Sequence, residues 1–299
     1  MVGATTETDR ERWLAERRTG IGGSDAAAVL GVNPWKSALE VWAEKVGLMD
    51  PPDLSENEAV EFGTKLEGVV LETLAERTGR HIERWPQTRI VRHPEKSWLL
   101  CTPDAFEHDP DKGRGIVQAK TTSAYRLRDW QGDEPPLHYQ VQIQHEMAAT
   151  GCEWGTLCCL VGGQRFLWFD VRRNDRFVEA MLKREAHFWR LVETQTPPEP
   201  DGSPGADKVL GKLYADESGE SVTLPPEALE WDTELAEIRK QLSALQERKR
   251  ALEQKLKAAI GHASVGVLPD GTIWTYKTVH RREHVVKATT YRQLRRVTK

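Results

Sequence analysis

Cysteine is scarce in this 299-residue chain. Its four copies, Cys101, Cys152, Cys158 and Cys159, lack both the paired spacing of a zinc site and the density of a disulfide scaffold. They read as reduced structural thiols of a cytoplasmic protein. Long apolar runs are missing as well: none approaches the roughly 20 residues of a membrane span, so no membrane association is expected. Residues 1–13, MVGATTETDRERW, have no apolar core of a signal peptide. Positive charge is not in excess, for the net charge is −4 and no large basic surface is advertised. A nucleic-acid partner is not thereby excluded, because charge can be local and a metal site must itself be acidic. Internal repeats and low-complexity tracts are absent. With 29% charged and 38% hydrophobic residues, the chain is of ordinary soluble globular composition.

Charge is indeed local. Residues 277–299 carry Lys277, Arg281, Arg282, Lys287, Arg292, Arg295, Arg296 and Lys299 against the single acid Glu283. Such a tail can touch phosphates or simply be solvated. Along the rest of the chain, helices are expected at ERWLAERR, at DAAAVLG behind the turn TGIGGS, at SALEVWAEKVG, and at residues 56–79, which close on Gly79. Strand-like segments follow in HIERWPQTRIV, SWLLCTP and GIVQAKTT. HYQVQIQHEMAATG reads as a helix ending at Gly151. A hairpin is expected across Gly162-Gly163, followed by the amphipathic helix NDRFVEAMLKREAHFWRLVETQ. This order predicts an α/β core with a central mixed sheet over residues 1–195. The Pro- and Gly-rich stretch 196–205 reads as a linker. In the appendage, residues 206–299, Leu235, Ile238, Leu242, Leu245, Leu252 and Leu256 form a coiled-coil-like seam. It can pack on the chain's own core or hairpin, or on another subunit. A hairpin around Asp270-Gly271 follows.

One constellation carries chemistry. In CTPDAFEHDPDKGRGIVQAKTT, Asp104 closes one apolar run, and fourteen residues later Gln118-Ala119-Lys120 closes another. Hydrolysis of a phosphodiester with a divalent metal needs clustered oxygen ligands and a cation near the attacking water. Residues i and i+2 of a strand share a face, which places Gln118 beside Lys120, with the Ala119 carbonyl between them as a further ligand. Asp104 meets them if the strands form a hairpin, and Glu67 from the preceding helix can complete the cluster. The plain alternative is a turn Asp and an edge-strand Lys.

RRTGIGGSDAAAVLGVNPWKS, EFGTKLEGVVLE, CTPDAF, GIVQAKTT and YQVQIQHEMAATG, in that order, resemble the YqaJ-type viral recombinase family. These are relatives of phage lambda exonuclease within the PD-(D/E)XK nuclease superfamily. The resemblance covers about residues 10–195; the tail, closing on TTYRQLRR, looks like the extension of some phage members. It implies a PD-(D/E)XK nuclease core and Mg²⁺-dependent, ATP-independent digestion of linear double-stranded DNA from 5′ ends, with Mn²⁺ able to substitute. It further implies a 3′ strand handed to a single-strand annealing protein, and an oligomer such as a ring-shaped trimer. Asp104 matches the motif Asp and Lys120 the motif Lys, while Gln118 stands where the motif has a carboxylate. Glu67 matches the helix acid and Gln142 the Gln near the metals. Arg17 and Ser24 match the pair associated with the terminal 5′-phosphate. A guanidinium fork and a hydroxyl at a helix start suit an anion, although Ser24 can instead be only an N-cap, and the adjacent Arg18 leaves the register open. His138 and His145 lack a third ligand-like partner, and Tyr139 and Trp98 read as packing residues.

Gln keeps one carbonyl oxygen for a metal but lacks the charge of Glu. Residue 118 is therefore a natural variant in a working site, an engineered Glu→Gln exchange, or the mark of a DNA-end binder with little turnover. A related structure-specific endonuclease is the other enzymatic reading.

Overall fold

The computed structural model describes residues 7–281 and 292–294. Of the basic tail, Lys277, Arg281 and Arg292 fall within that range; Arg282, Glu283, Lys287, Arg295, Arg296 and Lys299 lie outside the described residues, as does most of TTYRQLRR. In chain order the elements are α1 (Glu7–Arg17), α2 (Gly23–Val29), α3 (Ala38–Lys45), α4 (Glu58–Thr78), β1 (His81–Arg84), β2 (Val91–Arg92), β3 (Leu100–Cys101), β4 (Ala105–Asp109) and β5 (Gly113–Thr122). A 3₁₀ turn (Ala124–Trp130), α5 (Leu137–Thr150), β6 (Trp154–Val161), β7 (Arg165–Arg172), α6 (Asp175–Glu193), α7 (Pro204–Leu213), α8 (Ala228–Ile260), β8 (Val265–Val267) and β9 (Ile273–Thr275) complete it.

Local chemistry sets the helix ends. Ser37 and Glu40 form a reciprocal capping box at α3. Asn57 and Asn174 cap α4 and α6 through their side-chain oxygens. Gly79 and Gly151 close α4 and α5 in the left-handed conformation, at φ 69° and 76°.

The central sheet has the order β1-β4-β5-β6-β7 and is mixed: β5 and β6 are parallel, the other pairs antiparallel. The expected α/β class with a mixed sheet flanked by helices is thus present. Alternation along the strands sorts the two faces. Val117 and Cys158 pack under Val70, Leu71 and Leu74 of α4. Ile116, Leu157 and Cys159 pack under Ile143 and Met147 of α5. All four cysteines are free and buried. Among the described residues, no helix is long and apolar enough to cross a membrane.

The chain divides into two compact units, Met1–Ala215 and Asp216–Lys299. The expected linker at 196–205 therefore does not end the core. α6 ends at its C-cap Thr194, followed by Gln195 at φ 52°, and Ser203 then caps α7 by accepting from the Ala206 N–H at 3.1 Å. Ala206 and Val209 are buried in a cluster with Leu39, Val41 and Trp42 of α3. Gly205 allows that close approach, since a Cβ there would lie 2.0 Å from the Glu40 carboxylate. In the second unit, α8 has no buried residue, and Leu235, Ile238, Leu242, Leu245 and Leu252 are exposed. The β8–β9 hairpin turns at Gly271, φ 84°.

Candidate active site

β5 outruns its neighbour. β4 pairs with it only as far as Val117, while β6 accompanies it to Thr122. Asp104, just ahead of β4, fills the first vacant position: its N–H donates to the Val117 carbonyl at 3.2 Å. Its Oδ2 accepts from the Ala119 N–H at 2.7 Å. A strand residue points its N–H and C=O to the same edge, so the Ala119 carbonyl also faces the open side. There lies a cavity of about 260 Å³, lined by Glu67, Asp104, Ala119, Lys120 and Thr121 together with α4 backbone and side chains.

Gln118 and Lys120 share the opposite face, as the spacing predicts. Lys120 Nζ donates to Gln118 Oε1 at 2.9 Å, and Gln142 Nε2 donates to the same oxygen at 3.0 Å. Both lone pairs of the Gln118 carbonyl are therefore engaged. On this side a second cavity, of about 170 Å³, is lined by Asp104, Gln118, Lys120, Gln142 and Glu146 from the sheet and α5, and by Trp13, Arg17, Gly23 and Ser24. Asp104 and Lys120 thus border both cavities, with Glu67 on one side and Arg17, Ser24, Gln118 and Gln142 on the other.

Arg17 is steered by three neighbours. Its NH2 donates to Ser24 Oγ at 2.9 Å and lies 3.8 Å from Asp25, and its guanidinium stacks 4.8 Å from the Trp13 ring centroid. Arg18 turns away and pairs with Asp50 at 2.7 Å. Ser24 is not the N-cap of α2; Gly22 holds that place, and its N–H donates to Asp25 Oδ2 at 3.2 Å. Asp25 is buried against Lys45, at 2.8 Å. Burial would raise its pKa, but the ammonium of Lys45 and the guanidinium of Arg17 outweigh burial and hold it far below the usual carboxylate range. In TGIGGS, the glycines serve packing: a Cβ at Gly20 would lie 2.5 Å from the Trp98 carbonyl oxygen, and one at Gly23 2.3 Å from Glu146 Oε1.

Burial raises the acids of this site, and the charge of Asp104 adds to the rise of its two neighbours. Burial pushes Asp104 up against the pull of Lys120 and the Ala119 N–H. Burial and then Asp104 lift Glu67 to about 7. Glu146 likewise rises to about 7, by burial and the charge of Asp104 against the Gln142 hydrogen bond. Sequence reasoning missed Glu146, although it stands one helical turn from Gln142, a spacing that puts both on one face. His145 is structural: its ring nitrogens lie 2.8 Å from Glu185 Oε1 and 2.8 Å from the Leu100 carbonyl oxygen, all out of solvent.

Among the described residues, no three His, Cys, Asp or Glu side chains converge into a ready-made metal cluster. The donors around the two cavities nevertheless suit a hard divalent cation, because all are oxygens: the carboxylates of Asp104, Glu67 and Glu146 and the carbonyl of Ala119. One of them, Glu146 Oε2, is buried without any hydrogen-bond partner.

A short antiparallel pair followed by a parallel strand, with a helix on each face and an Asp and Lys at the strand ends, defines the PD-(D/E)XK nuclease fold. The crystal structure of an alkaline exonuclease (LHK-Exo) from Laribacter hongkongensis superposes with a TM-score of 0.53 at 20% identity, covering 62% of this chain and 94% of that one. LHK-Exo in complex with dAMP gives 0.50 at 18% identity over the same shares. Residues 12–153 match the YqaJ-like viral recombinase domain. "Uncharacterized protein YqaJ" of Bacillus subtilis (strain 168) is 35% identical over 273 residues, 90% of this chain and 83% of that protein. The chain belongs to the YqaJ family.

Proposed function

We propose that this chain is a metal-dependent, ATP-independent nuclease of recombination that digests linear double-stranded DNA from the 5′ end, leaving a 3′ single strand for an annealing protein. The observation that carries this reading is the shared wall of the two cavities. Asp104 and Lys120 stand between an acidic recess on one side and the Arg17–Ser24 pair on the other. A phosphodiester lying on that wall meets both the acids and a fork for the neighbouring terminal phosphate.

Mg²⁺ or Mn²⁺, held by Asp104, the Ala119 carbonyl and Glu67, would acidify the attacking water and offset charge on the phosphate. The chain's own residues do the rest. The Ala119 N–H fixes the Asp104 carboxylate. The Lys120 ammonium sits where negative charge develops. Arg17 and Ser24 hold the 5′-phosphate and so set the first scissile bond. Each cut leaves a new 5′-phosphate on the remaining strand, which favours continued digestion. The fold relative bound to dAMP, a nucleotide of product size, agrees with this use of the fold.

A second reading is kept by one observation: Gln118 adds no charge, and its oxygen is already taken by Lys120 and Gln142. It makes the chain a binder of duplex ends with little turnover. Nucleotide release from linear and covalently closed duplex, by the native chain and by Gln118→Glu, separates the readings. The exonuclease digests linear duplex alone. Equal digestion of closed circles points to an endonuclease, and end binding without release in either protein points to the binder.

A further inference from the structure

We propose that Glu146 supplies the carboxylate ligand that residue 118 lacks, so that the divalent cation is held between Asp104 and an acid on α5. The inference rests on the metal-site reading above through Asp104, which borders both cavities, and places the second acid on the α5 side instead of with Glu67 on the α4 side.

Glu146 is 1% exposed, and its Oε2 has no partner. A buried carboxyl oxygen left bare costs free energy in either protonation state: an anion lacks a donor, and an acid lacks an acceptor for its proton. The other oxygen, Oε1, accepts from Gln142 Nε2 at 2.9 Å. That same nitrogen donates to Gln118 Oε1 at 3.0 Å. One amide therefore ties the carboxylate of residue 146 to the neutral side chain of residue 118, inside the cavity they share with Asp104.

The seat is built from a second direction. Gly23 backs onto the carboxylate, and a Cβ there would lie 2.3 Å from Oε1 and 2.8 Å from Cγ. Any side chain at residue 23 displaces Glu146. Meanwhile Gln118 Oε1 has no lone pair left for a metal. In the cavity it shares with Asp104, the buried oxygen without a partner belongs to Glu146, and a hard cation such as Mg²⁺ or Mn²⁺ is the ligand its chemistry selects.

Mn²⁺ titration calorimetry on the full-length, metal-stripped protein tests this, with apo melting temperatures as the folding control. Glu146→Gln keeps the shape and should lower Mn²⁺ affinity at least about tenfold, the scale set by disturbing ligand support at metal sites. Gln118→Glu should recover most of that loss when combined with Glu146→Gln. Glu146→Asp, which retracts the charge by one methylene, should fall between, and serves if the Gln variant melts early. Full affinity in Glu146→Gln or Glu146→Asp, with Asp104→Asn weakened, overturns the role of Glu146 and leaves the site standing. Unchanged affinity in Asp104→Asn, or no Mn²⁺ binding by the parent, overturns the site reading and this inference together.

Discussion

Lys120 Nζ donates to Gln118 Oε1 at 2.9 Å, and it also lies 5.2 Å from the centre of the Tyr139 ring. The ammonium is thus positioned by a neutral amide and an aromatic face. Neither carries a counter-charge; the charge of Lys120 acts on the Asp104 carboxyl, which it pulls down against burial. A Glu at residue 118 would instead form an ion pair with the ammonium and free Gln142 to serve Glu146 alone.

Lys120→Ala should reduce nucleotide release at least about a hundredfold, the scale of one lost electrostatic catalyst. Duplex-end binding, read by fluorescence anisotropy, should change only a few-fold. Hydrolysis at the parent rate would remove Lys120 from the chemistry.

Arg17→Ala should erase the preference for 5′-phosphorylated over 5′-hydroxyl duplex. A charge-assisted hydrogen bond of roughly 1.5–3 kcal/mol corresponds to about ten- to a hundredfold. Arg18→Ala should do far less, since Arg18 is spent on Asp50 at the surface. Equal rates on both ends by a parent protein that cuts would return Arg17 to a packing role beside Trp13.

Asp25 makes stability depend on acid. Its folded-state pKa lies far below the unfolded value of about 3.9. The stability it contributes is therefore full above that unfolded value and is lost as pH falls below it toward the folded one. Urea unfolding between pH 6 and 3 should show a fall beginning near pH 4 that is shallower in Asp25→Asn. That variant also leaves Lys45 buried without its counter-charge, at a cost of roughly 3–5 kcal/mol. An unchanged pH profile would show that Asp25 is no buried anion.

Truncation should separate the two boundaries. A chain ending at Ala215 should keep the cooperative unfolding of the first unit. A chain ending at residue 205 loses Ala206 and Val209 and bares the α3 face they cover. Val209→Ala alone should cost roughly 2 kcal/mol by the cavity it leaves. Identical melting of the two truncated chains would place α7 outside the core.

Much of this was legible because the signals were local. Gly79 and Gly151 marked the ends of α4 and α5 by chemistry within one turn. The face shared by residues 118 and 120 followed from strand periodicity. α7 escaped because its stop and start signals, PPEPDGSPG, are those of a linker, and only burial against α3 reveals the helix as core. Glu146 escaped for a related reason: what singles it out is the backbone of Gly23, far off in sequence, and the missing partner of one oxygen. The spacing marks the seam of α8 as apolar, and its residues Leu235, Ile238, Leu242, Leu245 and Leu252 are exposed.

The open edge of β5 has a genetic meaning. Where β4 stops at Val117, the Ala119 N–H turns to Asp104 and the Ala119 carbonyl faces the cavity. Main-chain oxygens are not encoded by the identity of any side chain, so no codon change at residue 119 deletes that donor. The parts of this site open to drift are its side chains, and residue 118 is one of them. A lineage that loses charge there keeps the peptide group in place, and with it a fixed point around which an acid on another element can take over.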